Sequence, residues 1–200
     1  MQALLNAIHH MGLAHDAQRL FHGRGGLYPG CEHWALDAYP PVFLLTSFQP
    51  ATEAELARVH TALTDRWQQL APGQLLNWVY QCRHSGGTET RLMAGSVPEP
   101  HTVLEDGARF LVHLRKGQNH GFFPDMAAGR RWVRAHVAAH PGIRVLNLFA
   151  YTGAFSVVAL QAGAKQVINV DMGHGAMAIG QQNHHLNGLS GKASFWTHDI

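Results

Sequence analysis

Cysteine, charge and long apolar runs are all scarce in this sequence, and each shortage excludes a class of protein. Only 2 of the 200 residues are cysteine, which excludes the disulfide framework of a small secreted domain. No segment approaches the roughly 20 consecutive apolar residues of a membrane-spanning helix, and Met1–Leu13 lacks the basic start of a signal peptide. The charged fraction is 14% and the net charge is +2, so a strongly basic nucleic-acid signature is absent. We expect a globular cytoplasmic protein with no membrane partner.

Histidine is the abundant exception, with 16 residues, but the sequence does not predict a metal centre. Cys31-x-His33 and Cys82-x-His84 could together supply the four ligands of a Cys₂His₂ zinc site. Structural zinc sites usually use C-x₂-C pairs, however, and the sequence contains no such pair. We therefore predict that the protein binds no metal.

The segment that organises the chain is Val145–Asp171, which has the pattern of a strand, a turn, a helix and a second strand. Val145–Phe149 and Val167–Val170 are short apolar runs of strand length, and Phe155–Ala162 is an apolar run of helix length. Strands without a polar face are typical of a parallel sheet that helices cover on both sides. The pattern therefore predicts a βαβ unit within an α/β fold.

Two residues of this unit, Gly153 and Asp171, indicate a nucleoside site. Gly153 lies in the turn after the first strand, and Asp171 ends the second strand 18 residues later. Ligands of open α/β sheets bind at these carboxyl ends, where a glycine admits close backbone approach and a carboxylate can accept from both ribose hydroxyls. A dinucleotide fingerprint has three glycines, whereas the run Phe149–Gly153 has one. A cofactor without phosphate groups is therefore favoured over NAD.

Three runs of sequence carry a resemblance to a known family. They are NLFAYTGAFS at the first strand and turn, VINVDM at the second strand, and QNHHLNGL in the segment that follows. Together they resemble the class I S-adenosylmethionine-dependent methyltransferases, in particular the branch that acts on large-subunit ribosomal RNA and includes 5-methylcytosine and 7-methylguanine enzymes. The upstream run FLVHLRKGQNHGFFPDMAAGR resembles a further motif of that branch. The resemblance covers about residues 19–200 and is specific from Phe110 onward.

The resemblance implies S-adenosylmethionine as the cofactor and assigns several residues to its pocket. The implied contacts are Thr152 and Gly153 at the methionine moiety, Phe149 along the pocket wall, Asp171 at the ribose hydroxyls, Met172 against the adenine face, Asp199 at the adenine amino group with Ile200 beside it, and Asp125 at the cofactor's amino group.

One motif departs from the family pattern. The family's G-F-F-L-D-x-R run becomes Gly121–Ala127 here, with alanine at the position of the arginine. Arg130 or Arg131, one helical turn further on, could take the place of that arginine. Asp125 also has a structural interpretation, because it can cap the start of a helix over residues 126–140.

The chain is predicted to contain two domains. Residues 1–104 are expected to form an N-terminal helix over Met1–Leu20 and a small α+β accessory domain on the substrate side. In that domain Thr52-x-x-Glu55 is a capping box that starts a helix. Residues 105–200 are expected to form the first three strands of a Rossmann-like sheet.

The resemblance implies an enzyme that methylates RNA, with ribosomal RNA as the partner. The family's target-base motif, an Asp-Pro-Pro run, is absent from the sequence, so we expect an incomplete chain that is inactive in isolation, and no catalytic residue is assigned. The alternative is a non-catalytic module that binds the cofactor or RNA. The oligomeric state is left open. The candidates for phosphate contacts are Arg19, Arg24, Arg83, Arg91, Arg115 and Lys116.

Overall fold

The computed structural model describes residues 1–199, which fold into two compact units that interleave along the chain. The first unit contains Met1–His101 and His113–Gln118, and the second contains Thr102–Val112 and the chain from Asn119 onward. The boundary predicted at residue 104 differs from this division, because it places residues 113–118 with the second domain. The Gln81 side chain accounts for the difference, since its Nε2 donates to the Gly117 carbonyl at 3.0 Å and ties that segment to the first unit.

The first unit is built on a five-stranded sheet. Its elements are α1 (Gln2–His10), β1 (Gln18–His22), β2 (Trp34–Tyr39), β3 (Val42–Ser47), α2 (Glu53–Leu70), β4 (Asn77–His84) and β5 (Gly87–Ala94). The strands lie side by side in chain order. β3 and β4 are parallel, which requires the crossover that α2 makes, and the other neighbours are antiparallel. The core of the unit lies between one face of this sheet and the two helices.

Helix α2 begins and packs as the sequence predicts. The Glu55 N–H donates to the Thr52 hydroxyl at 3.2 Å, and the Glu55 carboxylate accepts from the Thr52 N–H at 2.9 Å, so the capping box is confirmed. The apolar residues of this segment recur at helical spacing, which predicts one buried stripe, and the helix buries that stripe. Trp67 at its end packs edge-on against Phe43 at 5.5 Å between ring centroids. The buried residues of the stripe are Leu56, Val59, Leu63 and Trp67.

The predicted helix over Met1–Leu20 is wrong in its second half. Helix α1 ends at His10, and Gln18–His22 forms the edge strand β1. The strand pairs with β2, and the Arg19 guanidinium binds the Asp37 carboxylate with Nε–Oδ1 at 2.6 Å. The strand is therefore stabilised by partners that lie far along the chain, which local apolar spacing cannot indicate.

The remaining elements build a parallel α/β layer and, from the first two strands among them, a separate two-stranded sheet. They are β6 (His101–Glu105), β7 (Ala108–Val112), a 3₁₀ turn (Pro124–Met126), α3 (Ala127–Ala139), β8 (Arg144–Leu148), α4 (Ala154–Gln161), β9 (Gln166–Asp171), α5 (His174–Leu186) and β10 (Ala193–Thr197). β8, β9 and β10 are parallel with β9 in the centre. The predicted βαβ unit, β8–α4–β9, and the α/β fold class are confirmed. None of the helices within residues 1–199 is long and apolar enough to cross a membrane.

Helix α3 differs from its prediction at both its start and its buried face. The 3₁₀ turn precedes it and Met126 occupies the N-cap position, so Asp125 does not cap the helix. The spacing predicts that Trp132, Val133 and Val137 can face the sheet, but Trp132 is 66% exposed. Arg130 is buried together with Val137, and it pairs with Glu105.

We predict that Thr52→Ala lowers the free energy of unfolding by about 1 kcal/mol, because the Glu55 N–H loses its acceptor. Urea titrations followed by circular dichroism measure the change. Thr61→Ala is the matched control, since Thr61 lies exposed within α2 and alanine favours a helix there. Equal effects of the two substitutions would contradict a stabilising role for the capping box.

Candidate cofactor site

The turn after β8 has an unusual backbone. Phe149, Tyr151 and Gly153 have positive φ angles of 52°, 49° and 69°, a region that residues other than glycine seldom adopt. The Gly153 N–H donates to the Ala150 carbonyl at 2.8 Å, and Gly153 is the N-cap of α4. Conformations of this kind persist only where surrounding contacts hold them. The turn therefore depends on fixed polar partners.

Asp171 is the partner that holds the turn against the neighbouring strand. Its Oδ2 accepts from the Tyr151 N–H at 2.8 Å, and its Oδ1 accepts from the Gly173 N–H at 2.8 Å. The Ala150 N–H donates to the Val170 carbonyl at 3.1 Å, one residue before the acid. The glycine-containing turn and the acid of β9 thus lie together, as predicted. A carboxylate oxygen has two acceptor positions, so both oxygens can still accept from a ligand hydroxyl.

A second set of hydrogen bonds joins the turn to Gly121. The Gly121 N–H donates to the Tyr151 hydroxyl at 2.8 Å, and the Thr152 hydroxyl donates to the Gly121 carbonyl at 2.6 Å. A Cβ at position 121 would lie 2.8 Å from the Leu111 carbonyl oxygen, so glycine is required there. Thr152 is 1% exposed, and its carbonyl also accepts a hydrogen bond, from the Asn183 amide. The contact of Thr152 and Gly153 with the methionine moiety stays a prediction.

Two large apolar side chains are exposed at the same edge of the sheet. Phe149, after β8, is 75% exposed, and Met172, after β9, is 70% exposed. Ligands of parallel sheets bind at this edge, where such side chains can cover the apolar part of a ligand. The roles of Phe149 along the pocket and of Met172 against adenine stay predictions.

Asp199 follows the third strand at the same edge. Thr197 of β10 is the register partner of Asp171, and the His198 N–H donates to the Asp171 carbonyl at 3.2 Å. Asp199 is exposed, and its contact with the adenine amino group stays a prediction. The expected position of Ile200 beside adenine lies outside the described residues.

The buried side chain of Arg130 holds the segment that contains Asp125. The Arg130 Nε donates to Glu105 Oε2 at 2.5 Å, and its Nη2 donates to Glu105 Oε1 at 2.7 Å and to the Phe123 carbonyl at 2.9 Å. Arg130 is 2% exposed, and its place as the substitute for the family's arginine stays a prediction. Arg131 is exposed, and so is Asp125, whose cofactor contact stays a prediction.

A chain of buried polar side chains lies beside the turn. The Nδ1 of His184 is 2.7 Å from the Gly180 carbonyl, which requires a proton on Nδ1. Its Nε2 then accepts from the Ser156 hydroxyl at 2.8 Å, and the Ser156 oxygen accepts from the Asn169 amide at 3.1 Å. The Asn169 carbonyl oxygen accepts from the Asn147 amide at 2.9 Å. Burial lowers the pKa of His184 and so favours the neutral imidazole, and in that form the proton on Nδ1 sets the direction of the other hydrogen bonds.

Helix α5 uses this polar chain to fix the turn. Gly153 has a φ of 69°, and a Cβ there would lie 3.1 Å from the His184 Cε1, so the backbone conformation and the imidazole both favour glycine. The neighbouring Asn183 amide donates to the Thr152 carbonyl at 3.0 Å. Burial lowers the pKa of His184 below the usual 6.5, while the hydrogen bond to the Gly180 carbonyl acts in the opposite direction.

The polar chain is not among the features predicted from the sequence, although part of it left a signal there. Asparagine interrupts both apolar strands of the βαβ unit, and Asn147 and Asn169 are register partners. Two polar residues at matched positions of neighbouring apolar strands indicate a hydrogen bond between them. Ser156 and His184 left no such signal, because both residue types are common on helix surfaces.

The comparison with known proteins decides the family of the chain. Residues 18–200 match the family model described as S-adenosylmethionine-dependent methyltransferase. The chain belongs to this family. The resemblance found in the sequence and the cofactor that it implies, S-adenosylmethionine, are thereby confirmed.

Individual relatives of this methyltransferase chain are longer than the chain itself. The ribosomal RNA large subunit methyltransferase I of Serratia proteamaculans (strain 568) is 31% identical over 187 residues, which cover 92% of this chain and 46% of the relative. The protein of the same name from Aeromonas salmonicida (strain A449) is 40% identical over 113 residues, 56% of this chain and 28% of the relative. A solved structure assigned as a methyltransferase complexed with SAH has a TM-score of 0.73 at 24% identity, covering 100% of this chain and 49% of the other. The chain thus spans less than half the length of these curated relatives.

We predict that acid lowers the stability of the protein partly through His184. The unfolded chain binds a proton on this residue near pH 6.5, whereas the folded protein binds it only at lower pH. The free energy of unfolding therefore falls as the pH drops below about 6.5, by at most about 1.4 kcal/mol per pH unit for this one group.

His184→Gln should make this pH dependence shallower, and urea titrations between pH 7 and pH 5 measure it. His136→Gln is the matched control because His136 is exposed on α3. An unchanged slope in His184→Gln would contradict a neutral, buried imidazole at this position.

Proposed function

We propose that this methyltransferase chain binds S-adenosylmethionine at the edge of the β8–β9–β10 sheet that Asp171 occupies. We further propose that the whole protein methylates large-subunit ribosomal RNA in the cytoplasm. The observation that carries the proposal is the pair of hydrogen bonds from the Tyr151 and Gly173 N–H groups to the Asp171 carboxylate. These bonds orient both oxygens and leave acceptor positions for two ribose hydroxyls. The names of the relatives support the choice of RNA as the substrate.

The chemistry that S-adenosylmethionine supplies is an activated methyl group on a sulfonium. The protein has to align that group with the attacking atom and to exclude water, and rigid positioning accounts for most of such catalysis. Residues of this chain provide the positioning. The proposed contacts are Asp171 at the ribose, Thr152 and Gly153 at the methionine moiety, Phe149 along the pocket, Met172 and Asp199 at the adenine, and Asp125 at the cofactor's amino group.

The three parallel strands are proposed to be the first part of a larger methyltransferase sheet, with the first unit as its accessory domain. Leu148, Val170 and Trp196 are register partners in one row across the sheet, so their side chains share a face. Leu148 is 43% exposed and Trp196 51% exposed. An apolar face of this kind is typical of a surface that further elements of the protein cover. The greater length of the relatives supports the same proposal.

We predict that Asp171→Asn weakens the binding of S-adenosylhomocysteine at least about 100-fold, because two hydrogen bonds from ribose hydroxyls lose a charged acceptor. Isothermal titration calorimetry measures the affinity. Asp65→Asn removes an exposed carboxylate of α2 and is the matched control. An unchanged affinity in a folded Asp171→Asn protein would remove Asp171 from the cofactor site.

We predict that the 200-residue chain alone transfers no methyl group to ribosomal RNA, because the parts that hold the target base are proposed to lie in the remainder of the protein. Incubation with tritiated S-adenosylmethionine and ribosomal RNA measures transfer, and a longer chain of the length of the relatives is the positive control. Labelling of RNA by the 200-residue chain would show that its two units suffice for catalysis.

A further inference from the structure

Two arginine side chains of the first unit flank one aromatic ring. The Arg24 Cζ lies 4.3 Å from the centroid of the Phe48 ring, and the Arg83 Cζ lies 5.9 Å from the same centroid. Arg24 is exposed, and Phe48 and Arg83 are half-buried. Guanidinium groups bind aromatic rings by cation–π attraction, so the ring holds two like charges close to each other at the surface.

The charges around this ring are mostly of one sign. Burial lowers the pKa of Arg83, the nearby Asp37 and Tyr39 act to raise it, and the positive charges of Arg19 and Arg24 lower it further. The one carboxylate of the group, Asp37, already accepts two hydrogen bonds from Arg19, at 2.6 Å and 3.1 Å. The guanidinium groups of Arg19, Arg24 and Arg83 therefore lie near one carboxylate, that of Asp37.

A hydrogen-bonded amide extends the positive surface to a neighbouring turn. The Arg83 Nε donates to Gln81 Oε1 at 2.6 Å, and the Gln81 Nε2 donates to the Gly117 carbonyl at 3.0 Å. Arg115 and Lys116 directly precede Gly117, and both are exposed. The five cations and Asp37 give this basic patch a charge of about +4, although the whole chain has a formal net charge of only +2.

We propose that this basic patch, formed by Arg19, Arg24, Phe48, Arg83, Arg115 and Lys116, binds a single-stranded segment of RNA. Arginine and lysine bind the phosphates of a nucleic acid and release its counterions. The half-buried Phe48 ring and the guanidinium planes beside it provide groups that stack on unpaired bases, which a duplex does not offer. The choice of RNA rests on the proposed function, while the patch itself rests on contacts within the first unit.

A groove continues the patch beyond Arg19. It lies between α1 and β1, has a volume of about 720 Å³, and is lined among others by Arg19, His22 and Tyr28. None of the described residues that line it is aspartate or glutamate. The Arg19 guanidinium is 3.0 Å from the His22 ring and so connects the groove to the patch. A polyanion meets no carboxylate along the groove.

Arg91, another phosphate candidate from the sequence, is not part of the patch. Its guanidinium binds Glu53 through two hydrogen bonds, at 2.7 Å and 3.2 Å. A phosphate at Arg91 would have to displace a carboxylate that already neutralises the side chain. The structure therefore separates this arginine from the others that the sequence suggested.

The test measures fluorescence anisotropy of a labelled single-stranded RNA of about 12 nucleotides with the 200-residue chain at several salt concentrations. Arg24→Ala is expected to weaken binding roughly tenfold at low salt and to make the slope of log K against log salt shallower by about 0.7. Phe48→Leu keeps an apolar side chain without a stacking ring, and roughly tenfold weaker binding is expected. Arg58 is exposed on α2, and the Arg58→Ala variant should bind the RNA as the unaltered chain does.

Three outcomes overturn the proposal: an unaltered chain that does not bind the RNA, Arg24→Ala and Phe48→Leu variants that bind as the unaltered chain does, or equal binding of a duplex RNA. Calorimetry with S-adenosylhomocysteine on the same variants separates this proposal from the proposed function. Loss of RNA binding with cofactor binding retained supports the patch. Failure of cofactor binding in the unaltered chain, with RNA binding intact, contradicts the proposed function alone.

Discussion

The hydrogen bond from the Tyr151 N–H to the Asp171 carboxylate is the contact on which the cofactor edge depends. It joins the ends of two parallel strands next to the backbone hydrogen bond from Ala150 to Val170, and it uses a charged acceptor, a class of bond worth about 1.5–3 kcal/mol. The same carboxylate accepts from the N–H of Gly173, the N-cap residue of α5. A structural role and a ligand role are therefore compatible at Asp171, because each oxygen has acceptor positions for both.

The positive φ angles of the turn explain why so many groups converge on it. Tyr151 adopts a conformation that a bulky residue avoids, and its hydroxyl and N–H are both engaged, by Gly121 and Asp171. Gly121 in turn belongs to the segment that Arg130 holds through the Phe123 carbonyl. Removal of any of these contacts leaves the strained turn with fewer restraints, so the edge behaves as one assembly and not as a set of independent residues.

Apolar periodicity predicted the elements whose partners are close in sequence. It gave the β8–α4–β9 unit and the buried stripe of α2, because in both cases the pattern alone decides which face is buried. It failed for β1, which depends on the Arg19–Asp37 ion pair, and for the inward face of α3, which depends on Glu105. Both failures involve a buried charge that is stabilised by a residue distant along the chain, and no local pattern carries that information.

The polar chain from Asn147 to His184 shows why polar groups, and not apolar ones, hold the turn in place. An apolar core would pack the strands equally well, but it would not fix the rotation of each side chain. A polar chain costs stability when one member lacks a partner, and here the proton on His184 Nδ1 determines every donor and acceptor in turn. The imidazole is thereby held in one orientation against Gly153. The rigidity of the turn is thus set by the polar side chains that lie beside it.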